Sequence, residues 1–281
     1  MNRRHFLRAV GKRVVGYGLP VLTTGVYSLS IEPQWLRLHH QRIPLSGLQG
    51  LRIVQLSDLH LEPYVALAHI ENAVKRAHAQ HPHLIVLTGD YADTLSGLAQ
   101  LPAVLSQLQA PLGVYAVLGN HDMALGLRAV RQTLAASGIT LLENRGLILT
   151  FENTDFYLAG LADSFSGQPD LDAALAHLPR DMLCILLSHE PDIAGNIAED
   201  GRVDLQLSGH THGGQVRIPF WGAPVRPPLG KKYPQGLAQV GSMQLYTTRG
   251  VGLIGPPVRF NCRPEISLLV LNSESVWQNP V

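Results

Sequence analysis

Cysteine is scarce in this chain: Cys184 and Cys262 are its whole complement in 281 residues. Two thiols cannot build a zinc knuckle or a disulfide framework. A bridge between them would need an oxidising compartment, and their wide separation without a spacing pattern speaks against it. Cys184 sits inside an apolar run and reads as a core residue. Charge is sparse as well, at 15%, with a formal net charge of +1. That balance supplies no general basic field, so no nucleic-acid partner is expected. An unbroken apolar span is missing too. The uncharged stretch near the start, residues 14–31, is interrupted by Gly16, Gly18, Pro20 and Gly25. It only just reaches the ~18 residues that a membrane span requires. Hydrophobic residues make up 46%, which suits a sizeable core and excludes the disordered class.

The first residues break the even charge. Arg3, Arg4, Arg8, Lys12 and Arg13 stand in residues 1–13 with no acid among them. A basic start followed by a short apolar region reads as an export leader over residues 1–31, separate from the folded domain at 45–275. Arg3-Arg4 followed by Phe6-Leu7 resembles the twin-arginine signal. That resemblance implies a twin-arginine translocase as a partner during export across a bacterial inner membrane, and a periplasmic or membrane-associated location. Ser28-Leu29-Ser30 offers a weak cleavage site; an uncleaved anchor and a plain basic tail stay open.

From residue 51 the chain alternates short apolar runs with helical patterns. Runs rich in strand formers occupy 51–56, 84–88, 114–118, 184–187 and 205–207, with helical spacing over 66–80 and 95–108. Such alternation predicts βαβ units and a parallel sheet. Residues 147–151 and 156–161 flank Glu152-Asn153-Thr154-Asp155 and read as a hairpin; 244–248 and 266–271 read as further strands. The α/β class with two sheets face to face and helices outside is expected. Residues 218–234 are rich in Pro and Gly and read as a long loop. Within it, Phe220-Trp221 could line a lipid or nucleotide site, rest on a membrane surface, or pack over a sheet edge.

Five of these strands end in metal-ligand residue types: Asp58 with His60, Asp90, Asn120, His189, and His210 with His212. Ligands bind outside the carboxyl ends of strands in open α/β sheets, so these residues would converge there. Each piece alone has a bland reading, a turn, a helix cap or a core histidine. Five in order, each at a strand end and several beside glycine, do not. Arg249 follows the 244–248 strand and could offer its guanidinium to a phosphate or simply sit on the surface.

The series Asp58-Leu59-His60, Gly89-Asp90, Gly119-Asn120-His121-Asp122, His189 and Gly209-His210-Thr211-His212 resembles the signature of calcineurin-like metallophosphoesterases. The resemblance covers roughly residues 50–271 and implies a four-layer α/β/β/α sandwich. Its context is similar to a bacterial subgroup of exported or membrane-associated phosphodiesterases related to enzymes of lipid A precursor cleavage. It implies two divalent ions, one held by Asp58, His60, Asp90 and His212 and the other by Asp90, Asn120, His189 and His210, with Asp90 bridging. It also implies that His121 faces the phosphate and protonates the leaving group or stabilises its charge, with Asp122 fixing its tautomer. Mixed nitrogen and oxygen donors without thiolate suit Mn, Fe, Zn or Co. Such ions lower the pKa of bound water toward neutrality and so make a nucleophile for a phosphodiester or pyrophosphate. The implied substrate is a phosphoester, lipid-linked or from the cell envelope, such as a lipid A precursor of the UDP-diacylglucosamine kind. The alternative is a binding or scaffold protein that keeps this fold without turnover.

Overall fold

The computed structural model describes residues 19–165 and 167–272. The twin-arginine pair and the basic run of residues 1–13 lie outside the described residues. The fold follows from strands that are apolar on both faces. In β2 (Arg52–Leu56) Ile53 points to one core and Val54 to another; in β3 (Leu84–Thr88), Leu84 and Val86 oppose Ile85 and Leu87 in the same way. A period of two with both phases apolar demands cover on both sides.

The cover is a second sheet on one side and helices on the other. The first sheet runs β1 (Arg37–Pro44), β12 (Glu265–Asn272), β2, β3, β4 (Val114–Val117) and β5 (Thr140–Leu141), parallel except where β12 meets β2. The second runs β10 (Gly236–Val240), β11 (Met243–Thr247), β9 (Leu205–Ser208), β8 (Cys184–Leu187), β7 (Thr154–Gly160) and β6 (Arg145–Phe151), with antiparallel pairs at its two edges. Ile53, Val86, Val117, Phe156, Leu158, Ile185, Leu207 and Leu269 fill the space between the sheets.

Helices α2 (Leu67–His78), α3 (Leu95–Leu105) and α5 (Leu127–Ala136) cover the outer face of the first sheet. On α2 the buried Ile70, Ala73, Val74 and Ala77 form one stripe at helical spacing. The short helices α6 (Leu171–Ala174) and α7 (Ala194–Asp200) cover the outer face of the second sheet. The four-layer sandwich expected from the sequence is the observed one. Phe156 is fully buried between the sheets. Phe156→Ala is expected to destabilise the fold by about 3–5 kcal/mol, read as a lower urea midpoint at unchanged slope.

The domain begins earlier than residue 45. Strand β1 pairs with β12 along its whole length, and the segment before it is packed down. Helix α1 (Leu19–Val26) leads into Ser28, whose carbonyl accepts the Arg259 amide at 3.0 Å. The wholly buried Glu32 carboxylate accepts the amides of Asn261 (2.9 Å) and Cys262 (2.5 Å). The candidate cleavage site at Ser28–Ser30 therefore lies against the domain. Among the described residues no helix is long and apolar enough to cross a membrane. Cys184 and Cys262 are both buried and unbridged.

Candidate metal centre

Strands β2, β3, β8 and β9 stop at one edge, and the residues after each turn inward there. Asp58 and His60 follow β2, Asp90 follows β3, and His189 follows β8. His210 and His212 follow β9, while Asn120 opens α4 (Asn120–Leu125) just after β4. The turns are tight. Asp58, His60, Asp90, His210 and His212 all have positive φ, between 45° and 70°. Non-glycine residues rarely adopt that conformation, and clusters of it mark functional sites. Glycine is required alongside: a Cβ on Gly119 would collide with Asp90 Oδ1 and stand 2.8 Å from the His189 ring, and one on Gly209 would collide with Ser57 Oγ.

The side chains converge as a chain of close approaches. His189 Nε2 stands 3.1 Å from Asp90 Oδ2, and His60 Nε2 stands 3.5 Å from the same oxygen. His60 Nε2 faces His212 Nε2 at 3.1 Å, and His212 Nε2 stands 3.5 Å from Asp58 Oδ1. The rings of His189 and His210 are 5.0 Å apart. Ligand atoms of Asp58, His60 and His212 lie within 4.8 Å of one another, and so do those of Asp58, Asp90 and His189. All six residues are buried. The Asn120 Oδ1 and His189 Nε2 atoms are buried without a hydrogen-bond partner.

The outward nitrogens decide whether a metal fits. A metal-binding imidazole donates its other nitrogen to an acceptor, which fixes the tautomer and frees the inner lone pair. His60 Nδ1 donates to Asp93 Oδ1 (2.8 Å), His189 Nδ1 to the Thr88 carbonyl (2.6 Å) and His210 Nε2 to the Pro228 carbonyl (2.8 Å). Three of the four imidazoles are thus held with one nitrogen free. Burial, then the neighbouring His189, presses His210 down to about 4; burial, then His60, presses His212 well below its ordinary value. Neutral imidazole is the metal-binding form. Burial pushes the Asp90 carboxyl up, but His189, His60 and His121 outweigh it and hold the group below the usual carboxylate range. His189 goes the other way: burial presses it down, but the Asp90 carboxylate outweighs burial and holds it well above its ordinary value. A buried carboxylate beside the depressed His210 and His212, with a proton on His189 that a cation can replace, fits a divalent ion.

His121 sits beside this cluster, its ring 4.7 Å from that of His60 and edge-on to it. Its backbone amide donates to Asp90 Oδ1 (2.9 Å) and its Nδ1 donates to Asp93 Oδ1 (2.9 Å). The hydrogen bond to Asp93 raises its imidazole to about 9. Asp93, which was not anticipated from the sequence, therefore holds both His60 and His121 through one oxygen. Asp122 does not fix the His121 tautomer as expected. Its buried carboxylate accepts the amides of Asp90 (2.8 Å), Tyr91 (2.9 Å) and Gly119 (2.9 Å), joining the two loops that carry Asp90 and Asn120.

The Arg249 side chain lies beside the site, its Cγ against Gly213. The neighbouring Gly250 packs on Asp58, while the Arg249 Nε stands 3.6 Å from the buried Glu265 carboxylate. Phe220 and Trp221 are exposed, so packing over the sheet edge is not their use.

The calcineurin-like phosphoesterase family model matches residues 51–214. The chain is 36% identical to the uncharacterized metallophosphoesterase YkuE of Bacillus subtilis, over 97% of this chain and 98% of that one. It is also 36% identical to phosphodiesterase YaeI of Escherichia coli, over 96% and 99%. A 5′-nucleotidase precursor from Thermus thermophilus shares the fold, with a TM-score of 0.50 at 16% identity over 78% of this chain and 54% of that chain. Sequence pattern, strand-edge geometry and relatives agree that this chain belongs to the calcineurin-like phosphoesterase family, whose members are divalent-metal hydrolases of phosphoric esters.

Proposed function

We propose that the chain hydrolyses phosphodiester or pyrophosphate bonds at a centre of two divalent ions. Asp58, His60, Asp90 and His212 would hold one ion; Asp90, Asn120, His189 and His210 would hold the other. The observation that carries this is the arrangement of imidazoles: His60, His189 and His210 are each tied outward and free inward, around the low-lying Asp90 carboxylate. When bound, such ions supply Lewis-acid stabilisation of phosphoryl oxygens and a water acidic enough to attack at neutral pH. The protein's own part is orientation and proton handling. Asp93 holds His121 Nδ1, so Nε2 of that partly exposed ring is the nitrogen left to give a proton to a departing oxygen. Phosphodiester preference is supported by the name of the E. coli relative.

A lipid-linked or envelope substrate, with export through the twin-arginine route, is the reading we favour from Arg3, Arg4 and the apolar segment that follows. The test uses metal-stripped protein with a bis-aryl phosphodiester and an aryl monophosphate. Chelation is expected to abolish diester turnover, and Mn²⁺ or Zn²⁺ to restore at least about a hundredfold over the apo protein. Failure of every divalent ion tested to restore hydrolysis would sink the proposal.

A further inference from the structure

From Leu205 to Pro264 the chain contains no Asp or Glu, but it contains Arg217, Arg226, Lys231, Lys232, Arg249, Arg259 and Arg263. The net charge of +1 hides this one-sided stretch. Within it, residues 216–232 leave the sheets and return. The outgoing part is tied by Arg217, whose amide donates to the Phe260 carbonyl at 2.8 Å. The returning part is tied by Asp192, whose carboxylate accepts the amides of Lys231 and Lys232. At the far end Ile218 and Gly222 exchange both backbone hydrogen bonds at 2.8 Å. Pro219, Phe220 and Trp221 form the tip of that turn.

The tip defies the rules that govern ordinary loops. Phe220 is fully exposed, and Trp221 and Val225 are 77% and 76% exposed. Phe220 also has φ of +67°, a conformation that costs a bulky residue free energy, and no packing offsets it. Two aromatic residues held out at a turn, in a segment that carries arginine and lysine and no acid of its own, are the chemistry of an interfacial anchor; Asp192, from a neighbouring segment, sits at the base of the loop. Trp and Phe partition to the headgroup boundary, and each nearby cation is attracted by anionic lipid. A second apolar group hangs from the same place. Val26, Leu29, Ile31 and Trp35 are about half exposed. Their segment is fastened through Ser28 to Arg259, next in sequence to the Phe260 that holds the loop.

We propose that the 216–232 loop docks on an anionic phospholipid surface, with Phe220 and Trp221 inserted and Arg226, Lys231 and Lys232 facing headgroups. The loop is continuous with the metal centre: the Pro228 carbonyl holds His210, and Ala223 packs on Gly214 of the Gly-His-Thr-His-Gly-Gly segment. Docking would therefore bring the centre to the bilayer surface, where a phosphoester carried by a lipid is presented. This inference stands whether or not the diester reading holds.

The test is sedimentation of the full chain with vesicles of equal parts phosphatidylglycerol and phosphatidylethanolamine, and with pure phosphatidylcholine vesicles, comparing wild type with Phe220→Ala/Trp221→Ala. Both residues are exposed, so the double variant is expected to fold and to keep soluble-substrate turnover. Wild type should bind the anionic vesicles and not the zwitterionic ones, with the variant about tenfold or more weaker. In a Trp35→Phe/Trp277→Phe background, Trp221 emission should shift to the blue on vesicle addition. Equal binding by wild type and variant would assign any affinity to the basic leader and overturn the proposal. So would absence of binding, or loss of soluble turnover together with binding, since the loop would then serve the centre alone.

Discussion

Asp90→Asn is expected to lower diester turnover by about a thousandfold and to strip the protein of bound metal while the fold persists. The argument turns on which end of the new amide points where. Asp90 Oδ1 accepts the His121 backbone amide at 2.9 Å, so that position must remain an oxygen. The NH₂ group is then forced to the Oδ2 position, 3.1 Å from His189 Nε2 and 3.5 Å from His60 Nε2. Those nitrogens are the free ends of imidazoles whose other nitrogens already donate to Thr88 and Asp93. An amide donor would satisfy one of their lone pairs and occupy the place of a cation. The substitution therefore removes a negative charge and blocks neighbouring ligands in one step, at almost no change in volume. Metal analysis, thermal unfolding and bis-aryl phosphodiester kinetics on the same sample check it. A variant that keeps metal and turns over within about threefold of wild type would show that Asp90 does not lie between the ions.

The ends of the central strands were legible because both faces of those strands are buried. Runs such as residues 84–88 are then continuous in apolar residues and stop abruptly at the polar turn. Edge strands lack that signature. In β1, Arg37–Pro44 carries two adjacent histidines and two arginines, and Ile43 alone is buried; nothing in its pattern announces a strand. Strand β10 is likewise at an edge and only Val240 is buried, so its pattern does not announce a strand either. The site shows the same division. Residues at strand ends could be located from spacing, whereas the positive φ of five non-glycine residues could not, because it is imposed by the convergence of loops rather than by local preference.

Asp122 and Asp93 show how sequence adjacency misleads. Asp122 follows His121 directly, which invites the idea that it supports the imidazole. The two residues occupy the first turn of α4, where neighbours in sequence point away from each other. Asp122 folds back to accept amides at the helix start, while Asp93 arrives from the loop after β3. No strand end or glycine marks Asp93. Its place becomes visible only when the rings of His60 and His121 are brought edge to face.

His121→Ala should lower turnover by about a hundredfold to ten-thousandfold with metal content unchanged, since its ring hydrogen-bonds Asp93 and the expected ligands do not include it. Asp93→Ala should act on two quantities at once. It removes the acceptor that orients His60, weakening metal affinity by about ten- to a hundredfold, and it releases His121. The two effects separate at saturating metal, where the His60 contribution is silenced and the His121 contribution remains. If Asp93 acts on chemistry through His121, the double variant at saturating metal should turn over as slowly as His121→Ala alone, within about threefold. Asp93→Asn should recover part of the loss, because an amide oxygen can still accept one imidazole N–H, though it lacks the charge to hold both. Independent, multiplying losses in the double variant would mean that Asp93 reaches the substrate or the metal water directly. Both Nδ1 atoms fall on the same oxygen, Asp93 Oδ1, at 2.8 and 2.9 Å. The contacts that Asp93 makes toward the site therefore run through His60 and His121, which is why the coupled outcome is the expected one; an independent loss would point to its second oxygen.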